Sequence, residues 1–332
     1  MIKVGIMGFG HIGRYIFSKM DKDSQFSVNA ICDIGNPDIL KYLLESESRN
    51  NCKVDVNSNY FITQSNKTRF INAVSPGDIP WDALDVDWVI DASGKYLSAS
   101  ALQKHLEAGA KKVILTSLPD DNIDRIVIPG INENNINKND KIISAGSSTT
   151  NVLAILLKIL DNAFKINFAN MMTIHSYTSK QPLQDMAGVD FRRSRSAAEN
   201  IIPNKNKSAD IIQEIIPKFK NKIMSSALNV PVQFGSMLDL TTVFESNKIT
   251  VDDVNNLLIK ESNKFPELIK TVEDPIVSSD VIGMSETIVF DLKGTLKIGE
   301  NMIKTLSWYD NGFNHASRVI DVILAFNQLE KK

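Results

Sequence analysis

The strongest constraint on this chain sits in its first 33 residues. Ile2 to Met7 is an almost unbroken apolar run that reads as a buried strand, and Gly8-Phe9-Gly10-His11-Ile12-Gly13 follows it with no spacer. Apolar Ile12, Tyr15, Ile16 and Met20 then recur at spacings of three and four, so they share one face of a helix packed back on that strand. Glycines in this pattern permit a tight turn, a close approach of backbone to a ligand and a close helix contact, while the helix start offers unpaired N–H groups to an anion. A second strand, Phe26 to Cys32, runs into Asp33, where a carboxylate can accept both hydroxyls of a ribose and repel a 2′-phosphate. Strand, glycine turn, helix, strand and acid together describe a dinucleotide-binding unit that favours NAD over NADP. Gly8, Gly10, His11, Ile12, Gly13 and Asp33 are its cofactor-binding residues.

The alternation continues through about residue 150, with helical Ile39 to Leu44, a strand Asp87 to Ala92, a helix Leu102 to Ala108, and strands Val113 to Leu115 and Ile142 to Ser144. Strands separated by amphipathic helices predict a doubly wound parallel sheet. From about Asn170 the rhythm changes to strands in Met171 to Ile174, Ala227 to Val230, Leu238 to Phe244, Ile288 to Leu292 and Met302 to Trp308, which predicts an α+β domain with a mainly antiparallel sheet. Thr250 with Asp252 and Asp253 marks a helix start, and a last helix is expected over Ala316 to Leu329 with Val319, Ile320, Ile323 and Phe326 on one side. Asn134 to Asp140 and Asn204 to Ser208 read as exposed loops, and His105, between Lys104 and Glu107, as a solvated residue.

Composition narrows the partners. Lys plus Arg total 37 against 39 for Asp plus Glu, so a net charge of -2 gives no field for nucleic acid or an anionic membrane surface. The longest apolar run, Val152 to Leu157, is far below the roughly 18 residues a membrane span needs, and the Met1 to Gly8 start reads as a strand rather than a signal peptide. Two cysteines, Cys32 and Cys52, suit a reducing compartment, so a cytoplasmic location is expected. No metal site is expected. Asn66-Lys-Thr and Asn206-Lys-Ser read as coincidental surface stretches. A length of 332 residues allows two or three domains.

Over most of its length the chain resembles the glyceraldehyde-3-phosphate dehydrogenases. The resemblance rests on Gly8 to Arg14, Asp91-Ala-Ser-Gly94, Ser147-Ser-Thr-Thr-Asn151, Ile174-His-Ser-Tyr-Thr178, Arg192 to Pro203 and Trp308-Tyr-Asp-Asn311. It implies a Rossmann NAD-binding domain over residues 1–148, with a C-terminal helix 315–332 docking back on it, and a catalytic domain over 149–314. It also implies that Ser93, Gly94, Thr116 and Asn311 line the cofactor site, with Asn311 holding the nicotinamide carboxamide. A homotetramer is implied as well, with the segment Asp185 to Pro203 packing across subunits.

The same resemblance marks where this chain departs. In the family the position of Ser148 is a cysteine, which attacks an aldehyde, forms a thioester as NAD is reduced, and is released by inorganic phosphate. A serine hydroxyl is a poor nucleophile unless a base removes its proton during attack. His175 matches the family's catalytic histidine and can serve as that base near neutral pH. Ser147, Thr149, Thr178, Arg195 and Asn229 fall at substrate positions. There Asn229 replaces an arginine in Ala227-Leu-Asn-Val-Pro231, and Asn204-Lys-Asn-Lys-Ser208 replaces a phosphate-cupping Thr-Gly turn. Lys205 and Lys207 carry charge without the fork geometry of arginine. His11 and His315 stand where an arginine and a tyrosine are common. Three functions follow from this pattern. The chain is a cysteine enzyme with its nucleophile exchanged for serine, a divergent NAD-dependent oxidoreductase acting on an aldehyde or hydroxy group of a small anionic, sugar-phosphate-like substrate, or an inactive NAD-binding homologue with a regulatory or assembly role.

Overall fold

Val4 and Ile6, on one face of the first strand, have no exposed surface, and Gly5 and Met7 on the other are buried, so both faces are covered. The computed structural model describes residues 1–47, 52–179, 181–188, 190–246 and 248–331. In chain order the first elements are β1 (Ile2–Met7), α1 (His11–Asp21), β2 (Phe26–Asp33), α2 (Pro37–Ser46), β3 (Asp55–Asn57), β4 (Tyr60–Ile62) and β5 (Lys67–Asn72). They are followed by β6 (Trp88–Asp91), α3 (Ala99–Glu107), β7 (Lys112–Leu115), β8 (Arg125–Ile126), β9 (Ile142–Ser144), α4 (Ser148–Phe164), β10 (Ile166–Ser176), β11 (Ile202–Asn204) and α5 (Ser208–Ile215). The last are β12 (Ile223–Val230), β13 (Ser236–Phe244), α6 (Val251–Lys264), β14 (Ile269–Val272), β15 (Ile288–Ile298), β16 (Met302–Tyr309) and α7 (Phe313–Glu330). The chain divides into two units, one of Met1–Ser147 with the chain from His315 onward, the other of Ser148–Asn314.

In the first unit the sheet runs β3-β4-β5-β2-β1-β6-β7-β9-β8, parallel from β5 across to β8, with β3, β4 and β5 pairing antiparallel at one edge. This is the doubly wound architecture. Under it lies a core of Met7, Ala30, Cys32, Trp81, Val89, Leu102, Val113 and Leu115. The edge strands β3, β4 and β5 carry no apolar signal strong enough to read from sequence. Thr68, in the stretch taken for surface, is fully buried and donates its hydroxyl to the Val28 carbonyl at 2.7 Å. Asp140, expected in a loop, is buried, accepts from the Asn137 N–H at 2.9 Å and is paired with Arg125. His105 is likewise not solvated: it has no exposed surface. Its charged neighbours look outward while its own position on α3 turns inward.

In the second unit the sheet runs β11-β12-β10-β13-β16-β15-β14. Most neighbours are antiparallel, but β10 with β12 and β14 with β15 are parallel, so the sheet is mixed. The run Val152 to Leu157 belongs to α4, a helix the strand-by-strand reading passes over because apolar residues surround it rather than forming a stripe. Asn204 ends β11 and Ser208 opens α5 in a buried position, so only the residues between them form the expected exposed loop. Thr250 caps α6 through a reciprocal pair of bonds with Asp253, and Val254 and Leu258 are its buried residues. Ile320 of α7 is only half-buried, whereas Val319, Ile323 and Phe326 are enclosed.

Candidate active site

The glycine turn does three separate things. Gly8 adopts φ +90, and a Cβ there would lie 2.5 Å from the backbone N of Ser93, so the turn and the strand-end loop after β6 touch through bare backbone. A Cβ on Gly13 would lie 2.1 Å from the Gly8 carbonyl oxygen, which lets α1 pack directly on the turn. Gly10 differs: a Cβ there would meet nothing within 4 Å. It caps α1 with no side chain over the first N–H groups, leaving that end of the helix open to an anion.

Asp33 is held rigidly at the end of β2. One carboxylate oxygen accepts the Phe9 N–H at 2.6 Å and the other the Gly35 N–H at 2.8 Å. A cleft of about 540 Å³ lined by Ile34, Asn36, Pro37, Arg69, Ile71 and Asn72, among others, adjoins it. Ser93 donates both its N–H, at 3.0 Å, and its hydroxyl, at 2.6 Å, to the Asp91 carboxylate. Gly94 follows at φ +63. The Thr116 N–H and hydroxyl both donate to the Asp91 carbonyl, at 3.1 and 3.2 Å. His11 turns its ring toward Glu47, with Nδ1 3.3 Å from the carboxylate, while Ile12 is half-buried. His315 is buried with Nε2 2.6 Å from the Thr116 carbonyl, which fixes Nε2 as the protonated nitrogen, and burial pushes its pKa down. Its Nδ1 is enclosed with no hydrogen-bond partner. The open space at Gly10, the uncapped helix start, the pinned Asp33 carboxylate and this orphaned acceptor beside Thr116 fit a dinucleotide, whose phosphates, ribose hydroxyls and polar end need such groups.

In the second unit His175, Asn229 and Asn311 converge on one residue that the sequence reading did not single out. The Ser176 carbonyl accepts from His175 Nδ1 at 2.6 Å and from the Asn229 amide at 3.3 Å, and the Ser176 hydroxyl donates to Asn311 Oδ1 at 3.0 Å. Parallel pairing of β10 with β12 sets His175 opposite Asn229. Because a carbonyl can only accept, the proton of neutral His175 sits on Nδ1 and the lone pair on Nε2. Burial lowers the His175 pKa, against a smaller opposing effect of the Ser176 carbonyl, which favours this neutral form. Ser148 is 8% exposed and is the first residue of α4, where the helix dipole favours negative charge.

Tyr309 is a second unforeseen member. Its hydroxyl lies 2.8 Å from both the Thr149 and the Thr173 hydroxyls, so it joins the start of α4 to β10, and its ring sits edge-on to His175 with centroids 6.3 Å apart. Asn229 is buried and its Oδ1 accepts from Asn204 at 3.2 Å, so this amide is committed inward. Ser147 is half-buried, and Thr178 and Arg195 are exposed, with Arg195 Nε 2.9 Å from Asp185. Lys205 and Lys207 are exposed. Ser176 and Tyr309 stood inside recognised motifs, but only their hydrogen bonds distinguish them. Both thiols are buried, and burial pushes Cys32 up strongly and Cys52 up to about 11, so neither is a ready thiolate.

A glycine turn between a parallel strand and an open helix start, an acid closing the next strand, and an imidazole of fixed tautomer on a second, mixed sheet are what an NAD-dependent oxidoreductase carries. Comparison with known proteins agrees. Residues 2–99 match the glyceraldehyde 3-phosphate dehydrogenase NAD binding domain, and residues 147–311 match the C-terminal domain of the same enzymes. The chain is 37% identical over 332 residues to a glyceraldehyde-3-phosphate dehydrogenase of Borreliella burgdorferi, covering 97% of this chain and 98% of that protein. It is 35% identical over 326 residues to that of Geobacillus stearothermophilus, covering 97% of each. To that of Clostridium pasteurianum it is 33% identical over 339 residues, covering all of both. The chain belongs to the glyceraldehyde-3-phosphate dehydrogenase family, and its cofactor is NAD.

Proposed function

We propose that this protein is a divergent member of its family that reduces an aldehyde, or oxidises a hydroxy group to the carbonyl, of a small anionic, sugar-phosphate-like molecule by direct hydride exchange with NAD. The observation that carries this reading is the fixed tautomer of His175: Nδ1 donates to the Ser176 carbonyl, and Nε2 keeps its lone pair for a substrate proton. Ser148 stands where the family resemblance places a cysteine. Its hydroxyl at the start of α4 orients the substrate oxygen, and His175 Nε2 takes or returns the proton of that oxygen. Bound NAD would supply the hydride acceptor; the backbone at Gly8 to Gly13 with Asp33 would hold it, and the family resemblance gives the Asn311 amide the nicotinamide carboxamide. Direct exchange needs no covalent nucleophile, so the serine costs this route little, whereas acyl transfer to phosphate is impaired.

By the family resemblance the anionic end of the substrate would be met by Thr178, Ser147 and Arg195, the last an exposed guanidinium paired with Asp185. A cytoplasmic homotetramer is part of the same reading. No described helix is long and apolar enough to cross a membrane. The test is NADH formation across a panel of sugar phosphates, aldehydes and hydroxy acids, with and without inorganic phosphate. One panel member should be turned over without phosphate, and His175→Asn should slow it by ~10²–10⁴-fold. Tight NAD binding with no turnover would instead make the chain an inactive homologue. Brisk phosphate-dependent oxidation of glyceraldehyde 3-phosphate would show the acyl route intact.

A further inference from the structure

His105 is the fully enclosed histidine that the reaction does not use. Trp81 Nε1 donates to its Nδ1 at 3.1 Å, and its Nε2 lies 3.3 Å from Asp91 Oδ2, also fully enclosed. An indole N–H can only donate, so Nδ1 is the acceptor and Nε2 carries the proton given to Asp91. The other oxygen of that carboxylate holds both the N–H and the hydroxyl of Ser93. The Asp91 carbonyl holds Thr116 as well. Ser93 in turn abuts Gly8, at a separation where even a Cβ would collide. The far end of the chain is anchored too, because the Trp81 ring lies against Gly5 of β1, 2.4 Å from where a Cβ would be.

We propose that His105 is a positioning residue for the dinucleotide site: through Asp91 it fixes the Ser93–Gly94 loop against the Gly8 turn, and so sets the backbone that receives the cofactor. The proposal rests on NAD binding at that turn. It makes the linkage one of hydrogen bonds in series, from Trp81 through His105 and Asp91, all fully buried, to half-buried Ser93. Without His105, Asp91 Oδ2 loses its partner in an enclosed space and the carboxylate turns to find another, releasing Ser93.

The experiment is calorimetric titration of the full-length protein with NAD, alongside thermal unfolding of each variant. Titration of the unaltered protein comes first: no NAD binding there would overturn the cofactor reading itself, and the proposal with it. His105→Leu should raise the NAD dissociation constant at least fivefold. His105→Gln, whose amide can accept from Trp81 and donate to Asp91, should bind within about twofold of the unaltered protein, a rescue that a packing role alone would not give. Should His105→Leu fail to fold, Trp81→Phe deletes the first donor together with the benzo-ring atoms on Gly5, and it too should weaken NAD binding. Unchanged affinity in His105→Leu or Trp81→Phe, or equal losses in the leucine and glutamine variants, would overturn the proposal.

Discussion

Gly10→Ala separates the folding role of the glycine turn from its binding role. Gly10 sits at φ -70 and ψ -165, an extended conformation open to any residue, and its Cβ would meet nothing within 4 Å. Replacing glycine by alanine at a compatible position stabilises a chain by about 0.4–1 kcal/mol through the unfolded state. Alanine is also a poorer helix cap than glycine, which costs about 0.5–1 kcal/mol. The two oppose, so stability should stay within about 1 kcal/mol, a shift in Tm of no more than about 4 °C. Binding is another matter, because the added methyl stands where backbone must approach a phosphate. Losing one charge-assisted hydrogen bond costs about 1.5–3 kcal/mol, which raises the NAD dissociation constant roughly 10- to 150-fold. Gly13→Ala supplies the contrast, since its Cβ would lie 2.1 Å from the Gly8 carbonyl and overpacking of this kind costs about 1–3 kcal/mol of stability. Differential scanning fluorimetry and calorimetric titration read the two quantities separately. Gly10→Ala protein that binds NAD as tightly as the unaltered chain would refute the assignment of the pyrophosphate to this helix start.

Burial holds His175 and His315 below the ordinary histidine pKa, so on acidification the unfolded chain takes up these protons first. Their contribution to stability is therefore present at neutral pH and is lost as pH falls through about 6.5 toward the depressed folded values. Urea denaturation from pH ~7.5 to ~5 should show a steeper loss for the unaltered chain than for His175→Gln, and equal slopes would refute the burial argument. Tyr309→Phe removes the hydroxyl shared by Thr149 and Thr173 and should destabilise by about 1–3 kcal/mol in the same assay, with no change showing that these hydroxyls find other partners.

Much of the first unit could be read from residues in order, because its signals are local. A strand that enters a glycine turn, a helix with one apolar face and an acid at the next strand end all lie within a few turns of chain. The β3 to β5 edge was not legible, since short half-exposed strands owe their form to pairing with β2 and with one another. In the second unit the strands were visible but their directions were not. Ile174 and Leu228 are paired in parallel, a relation that 50-odd intervening residues decide through the path of β11 and α5 rather than through any local preference.

What the order of residues determined alone was the chemistry on offer: a dinucleotide turn, a serine in the Ser147 to Asn151 stretch and an imidazole near a strand end. Only the folded chain decided which atoms those groups face. His105 lies beside Lys104 and Glu107 in sequence yet has no exposed surface, because helix geometry turns its position toward Trp81 and Asp91. The His175 ring acquired a defined tautomer, with its lone pair on Nε2, only when β10 set it over the Ser176 carbonyl and β12 laid Asn229 alongside. Hydrogen bonds across 50 or more residues depend on strand register, and register is set by how whole sheets bury their faces.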